Sequence, residues 1–162
     1  MNARGSAPPV TKGRPVVPPP LLALAAGVLM WIIARKAGLP ALDFPGRVPL
    51  AAALAGAGLL IDLVSVAAFL RARTTVNPLA PDKTNALVVT GLYRVSRNPM
   101  YLGMALVLAG WAVWLGQALT LVPVAAFVAL IEVIQIRPEE KALEEKFGED
   151  YRAYKKRVRR WI

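Results

Sequence analysis

NPMYLGMALVLAGWAVWLGQALTLVPVAAFVALIEVIQI, the stretch from Asn98 to Ile136, carries one charge, Glu132. As a single helix it would extend ~58 Å at ~1.5 Å per residue, nearly twice the ~30 Å hydrocarbon core of a bilayer. It is therefore predicted to fold back on itself. Gly116-Gln117 is the natural break, since glycine ends helices readily. Two spans result, at about 99–115 and 118–136, joined in a tight hairpin.

Outward from the hairpin lie two more apolar runs. Pro15–Ala34 has no charge and Val48–Leu70 has only Asp62. Each suits one span, at about 21–36 and 48–70. The chain as a whole is 56% hydrophobic and 19% charged, which is too apolar for a soluble domain of 162 residues. The expected fold is an all-α integral membrane protein of about four transmembrane helices with a C-terminal amphipathic helical tail.

Four spans put both termini on one side. Of the 20 lysines and arginines, all but Arg35, Lys36 and Arg47 then fall on that side. The positive-inside rule makes it the cytoplasmic side, of the inner membrane if the protein is bacterial. The net charge of +10 is matched by anionic lipid headgroups and calls for no nucleic acid. The chain has no cysteine and no histidine, which excludes disulfides, thiol nucleophiles, histidine bases and histidine or cysteine metal sites. No signal peptide is expected, because a long proline-rich stretch precedes the first apolar run. Residues 1–20 read as a disordered, proline-rich tail.

In the second span, Ala52, Ala53, Gly56 and Ala57 stand at small-xxx-small spacing, suited to close helix packing in lipid. Gly56-Ala57-Gly58 looks like part of a nucleotide loop, but no strand precedes it, so packing is the better reading. Residues 71–98 form a long polar loop that nevertheless holds Leu87-Val88-Val89 and Leu92-Tyr93. A purely solvated linker has no use for these. In the tail, Ile136, Glu140, Leu143, Phe147, Tyr151, Tyr154 and Val158 recur at helical spacing. Gly148 is predicted to cap one helix and Glu149-Asp150 to start a second, within a tail of about 137–160. Lys155–Arg160 and Trp161 suit the membrane interface.

Chemistry has few places to sit. Glu140 lies on the apolar stripe of the tail and Glu139 on its edge, so each needs a cationic or donor partner. Either they pair structurally with Arg94 or Arg97, or they bind a ligand. Arg94–Tyr101 enters the third span through a turn, with Pro99 suited to the first helical position. That turn is either an anion site or an interface anchor. Asp62 and Glu132 lie within spans, where ionisable groups are functional candidates by default.

Two segments together resemble the isoprenylcysteine carboxyl methyltransferases and related phospholipid methyltransferases. The first is Leu87-Val88-Val89-Thr90-Gly91-Leu92-Tyr93 followed by Arg97-Asn98-Pro99-Met100-Tyr101-Leu102-Gly103; the second is Glu139-Glu140, Leu143, Phe147-Gly148, Tyr151, Tyr154 and Val158. The resemblance covers about half the chain, from Asn85 onward. It implies a membrane methyltransferase domain over 21–162, with S-adenosylmethionine held at the cytoplasmic face and a lipid-like or prenylated acceptor reached from the bilayer. By position, the cofactor contacts would be Asn85, Ala86, Leu87, Val88, Tyr93, Arg97, Asn98, Pro99, Met100, Tyr101 and Glu139, with Gly103 and Glu140 as second choices. Arg97 and the turn N–H groups would hold the cofactor carboxylate, Tyr93 would pack on adenine, and a Glu of the doublet would meet the ammonium or ribose. Glu140 would be the proton acceptor for an amine substrate. Eukaryotic enzymes of the family have His where this chain has Asn98, and their substrate-side arginine corresponds to Gln135, with Arg137 the nearest substitute. O- and N-methylation therefore both stay open. Two other readings remain: an NADPH-dependent membrane reductase of steroid-reductase type, and a non-enzymatic membrane adaptor.

Overall fold

The computed structural model describes residues 17–38, 40–72 and 87–162. In order they form α1 (Pro19–Lys36), α2 (Arg47–Arg71), a 3₁₀ turn (Gly91–Arg94), α3 (Pro99–Leu115), a second 3₁₀ turn (Ala118–Thr120), α4 (Leu121–Ile131), a π-helical turn (Glu132–Ile136) and α5 (Arg137–Arg157). Among the described residues there is no strand, only an isolated bridge between Ser96 and Arg159. Pro19–Lys36, Arg47–Arg71 and the continuous stretch Ala118–Arg157 are each long and apolar enough to cross a membrane, and Pro99–Leu115 is a shorter apolar helix. Leu24, Leu60, Leu63 and Val122 stand exposed on these helices. Lipid is the solvent such side chains suit. The protein is an all-α integral membrane protein, as its apolar runs predict.

The hairpin turns where glycine allows it. Gly116 has φ 66° and caps α3 in the left-handed region. Prolines at the starts of α1 and α3 occupy first-turn positions whose N–H would have no helical partner.

The closest helix pair is α2 against α3. A Cβ on Gly58 would sit 2.5 Å from the Gly103 carbonyl oxygen, and one on Gly110 would sit 2.8 Å from that of Ala51. The seam on α2 is thus Ala51, Ala55, Gly58, Asp62 and Ser65. The expected stripe of Ala52, Ala53, Gly56 and Ala57 is out of phase with it: all four are exposed, and Gly56 has nothing within 4 Å of its would-be Cβ. The segment is small-residue-rich all round, so composition could not set its phase. α1 packs on α3 and α4 instead. The main core joins Met30, Tyr101, Leu108, Phe127, Ile131 and Ile136.

The π-helical turn sits just ahead of Pro138, whose missing N–H cannot continue an α-helical ladder. The local widening carries the chain through without a break and sets the facing of Gln135, Glu139 and Glu140. Gly148, with φ 54° and ψ −121°, then divides α5 in two. The tail stripe forms a second core of Tyr151, Tyr154 and Val158, with Leu143 and Phe147 beside it. Leu87 and Val89 pack against this core, which accounts for the apolar residues of the loop.

Candidate functional site

The site grows from the turn that leads into α3. Gly91 (φ 60°) opens the 3₁₀ turn, and the Tyr154 hydroxyl donates to the Tyr93 carbonyl at 2.7 Å. The chain then runs beside Arg159 and Arg160. The Arg97 N–H donates to the Arg159 carbonyl at 3.0 Å, and the Asn98 side-chain amide donates to the Arg160 carbonyl at 3.0 Å. The Asn98 N–H donates to the Ser96 hydroxyl at 3.1 Å. Pro99 has no N–H, and the α-helical ladder begins with the Leu102 N–H to the Asn98 carbonyl at 3.1 Å. The N–H groups of Met100 and Tyr101 are left as first-turn donors.

Onto this turn α5 brings the acidic doublet, and its two members meet opposite fates. Glu140 is buried between two guanidinium groups. Arg97 Nη2 donates to Oε1 at 2.8 Å, Arg160 Nη2 to Oε2 at 2.8 Å, and Arg160 Nε to Oε1 at 3.1 Å. Arg160 also reaches Glu132 at 2.9 Å, and Glu132 takes Arg137 at 3.0 Å. One ion network therefore runs Arg97–Glu140–Arg160–Glu132–Arg137. Burial opposes the Glu140 charge, but the Arg160 hydrogen bonds and the Arg97, Arg160 and Lys155 charges outweigh it and hold its pKa below the ordinary carboxylate value.

Glu139 has no cation among the described residues. Its Oε1 accepts from the Tyr101 hydroxyl at 2.8 Å and from Gln135 Nε2 at 2.7 Å. Burial, opposed by these two hydrogen bonds and assisted by the neighbouring Glu140 charge, pushes its pKa up to about 7. Beside it, Gln135 Oε1 is buried with no partner among the described residues. An acceptor-rich corner made of Glu139 and Gln135 thus meets the Tyr101 side chain, which comes from the first turn of α3. That donor and acceptor set fits a ligand carrying both an ammonium or hydroxyls and a carboxylate.

The structure sorts the residues singled out from the sequence. Tyr101, Met100, Asn98, Pro99, Arg97, Glu139 and Glu140 come together where α3 begins. Arg97 Nη2 donates to Glu140 at 2.8 Å and Nη1 to the Lys155 carbonyl at 3.3 Å, while its Nε is buried without a partner among the described residues. Glu140 is paired with Arg97 and Arg160, each at 2.8 Å. Arg137 is mostly exposed and engaged by Glu132, away from Glu139. Gly103 faces Gly58 and Asp62 on α2 and serves helix packing. Tyr93 is buried with its ring edge-on to Phe69, the centroids 5.4 Å apart. Val88 is buried and Leu87 packs on the tail core. Asn85 and Ala86 lie outside the described residues.

Two members of the site were not among the cofactor contacts expected from the sequence. Arg160 belongs to a basic cluster of the kind lipid headgroups attract, yet it clamps Glu140. Gln135 stands four residues before Glu139, which on a helix places it on the same face.

The model of a family described as phospholipid methyltransferase matches residues 47–150. An uncharacterized protein of Haemophilus influenzae is 48% identical over 63 residues, which make up 39% of this chain and 100% of that protein.

Proposed function

This chain belongs to the phospholipid methyltransferase family, and from that premise we propose that it transfers a methyl group from S-adenosylmethionine to a lipid-like acceptor at the cytoplasmic face of the membrane. The observation that carries the reading is the meeting of the α3 turn with the acidic doublet, made direct by the 2.8 Å hydrogen bond from Tyr101 to Glu139. Glu139 and Gln135 would meet the ammonium or ribose hydroxyls of the cofactor, and the Met100 and Tyr101 N–H groups its carboxylate. When bound, the cofactor supplies a sulfonium-activated methyl group.

The chain's own work is then positional. Methyl transfer is an in-line displacement, so a fixed line of approach and exclusion of water supply most of the acceleration. The Arg97–Glu140–Arg160 network holds the turn and the tail in one geometry. Glu139, with a pKa of about 7, is the member of the doublet able to hold or release a proton near neutrality. The charge pattern supports the cytoplasmic placement. The cationic demand of a dinucleotide phosphate weighs against the reductase reading, because Arg97 and Arg160 are already paired with Glu140.

Isothermal titration of the purified full chain in detergent tests the reading. S-adenosylhomocysteine should bind wild type and fail to bind Glu139→Ala. Binding of NADPH instead, or of neither molecule, overturns it.

A further inference from the structure

Most carboxylates of the tail are taken by cations of the tail and the turn. Glu140 is shared by Arg97 and Arg160, Lys155 meets Glu144 at 2.9 Å, and Arg152 meets Glu149 at 2.6 Å. Arg94, Arg157 and Arg159, by contrast, are exposed and have no ion pair among the described residues. They come from two segments that the fold lays side by side. The Tyr154 hydroxyl reaches the Tyr93 carbonyl, next to Arg94, and Ser96 forms a bridge with Arg159. Apolar side chains stand among these arginines. Val95, between Arg94 and Ser96, is 61% exposed. Leu70 is 66% exposed where α2 ends, and its neighbour Phe69 packs on Tyr93. Trp161 fixes the depth. It packs on the core of the apolar helices, and its indole N–H donates at 3.4 Å to Glu132, just past the end of α4. Water is a poor solvent for Leu70 and Val95, and hydrocarbon a poor one for unpaired guanidinium groups. The boundary between headgroups and acyl chains suits both.

We propose that Arg94, Arg157 and Arg159 bind the phosphate of an anionic phospholipid in the leaflet they meet, and that this lipid tightens the contact between the tail and the turn that enters α3. The occupant is a lipid and not a free anion, because Val95 and Leu70 offer acyl chains a contact that inorganic phosphate cannot use. The coupling follows from where the charges sit. Folding gathers three like charges around the Ser96–Arg159 bridge and, among the described residues, sets no carboxylate within ion-pair distance of them. A phosphate held by Arg94 on one segment and Arg159 on the other bonds both only while the segments are joined. It therefore binds the joined state better and shifts the population toward it. The Arg97 N–H, bonded to the Arg159 carbonyl at 3.0 Å, reports that state. The patch is separate from the Glu139 corner. Its effect on the cofactor rests on the methyl-transfer reading above: what steadies the turn steadies the first-turn donors of α3. By linkage, cofactor and lipid then strengthen each other's binding by the same factor.

The full chain is placed in nanodiscs of phosphatidylcholine, with or without a minor share of phosphatidylglycerol. Retained lipid is counted by native mass spectrometry. Hydrogen exchange at the Arg97 amide and S-adenosylhomocysteine affinity are measured on the same samples. Wild type should retain phosphatidylglycerol over phosphatidylcholine by about tenfold or more, the scale expected when several arginines meet one anionic surface. Phosphatidylglycerol should also slow exchange at Arg97 severalfold and raise S-adenosylhomocysteine affinity by a similar factor. Replacing the three together, Arg94→Gln, Arg157→Gln and Arg159→Gln, changes only exposed side chains and keeps the Arg159 carbonyl. This variant should lose the lipid preference and the slowing, yet bind S-adenosylhomocysteine in pure phosphatidylcholine as wild type does. The matching lysine substitutions should keep the preference. Equal retention of the two lipids by wild type, or a preference that survives the glutamine variant, overturns the site. Inorganic phosphate that slows Arg97 exchange as much as phosphatidylglycerol does overturns the lipid as occupant. Retained phosphatidylglycerol with unchanged exchange overturns the coupling. Failure of wild type to bind S-adenosylhomocysteine in either membrane sinks the methyl-transfer reading instead, and the lipid site is then decided by retention and exchange.

Discussion

The Tyr101 hydroxyl donates to Glu139 Oε1 at 2.8 Å across the join between the apolar hairpin and the polar tail. A phenol donor favours the ionised carboxylate, and burial opposes it; burial wins, leaving Glu139 with a pKa of about 7 against an ordinary 4.5. The sign of the consequence is fixed. Between pH 4.5 and 7 the unfolded chain ionises while the folded one keeps its proton, so this group's contribution to stability falls across that window and levels off above it. An ammonium ligand needs the anion. S-adenosylhomocysteine affinity should therefore rise as pH increases from about 5.5 to 7.5 in calorimetric titrations. Glu139→Gln should give a weak, flat profile. Tyr101→Phe should move the midpoint up by about one pH unit, the equivalent of one lost hydrogen bond. A wild-type profile without slope in that range would remove Glu139 from the cofactor site.

Glu140 separates from Glu139 by the kind of loss it produces. Its carboxylate is held by Arg97 and Arg160, and its side chain is only 9% exposed. Taking one partner from a buried ion network strands the others, at a cost of about 3 kcal/mol. Glu140→Gln should lower the thermal unfolding temperature in detergent well below that of Glu139→Gln. At temperatures where the variant is still folded, it should bind S-adenosylhomocysteine nearly as wild type does. A variant of unchanged stability that loses binding would return Glu140 to the ligand.

The α2–α3 seam makes a contrast between two glycines two positions apart. Gly58 touches the α3 backbone, so Gly58→Ala must push helices apart and should cost roughly 1–3 kcal/mol. Gly56 faces outward with open space around it, and Gly56→Ala should be neutral or stabilising by up to about 1 kcal/mol through helix propensity. Unfolding of both variants in the same detergent decides it. Equal costs would put the helix contact elsewhere.

The same pair shows what a sequence can and cannot carry. The apolar helices, the Gly116 turn and the Gly148 break were legible because bilayer thickness and glycine's left-handed backbone leave few choices. The tail stripe from Ile136 to Val158 was legible because one face alone is apolar. The phase of α2 was not, because Ala51 to Gly58 is small on every side and only the partner helix selects a face. The doublet was legible as important but not as divided. Which glutamate is paired depends on Arg160, which arrives from the far end of the chain, beyond the reach of any local pattern.

That far end is a strap. Arg159 and Arg160 give carbonyls to Arg97 and Asn98, at 3.0 Å each, and the Arg160 side chain bridges Glu140 to Glu132. The turn before α3 thus depends on residues that follow α5, and the first-turn donors of α3 are oriented through it. Deleting residues 158–162 removes both carbonyl contacts and the bridge together, whereas Arg160→Ala removes the bridge alone and keeps the backbone contacts. Hydrogen exchange at the Arg97 amide, which donates to the Arg159 carbonyl, should quicken strongly in the deletion and little in Arg160→Ala. S-adenosylhomocysteine affinity should fall about tenfold or more in the deletion, the scale of misplacing a preorganised contact set. If exchange at Arg97 is the same with and without residues 158–162, the turn holds itself, and the strap is only the tail's own anchor.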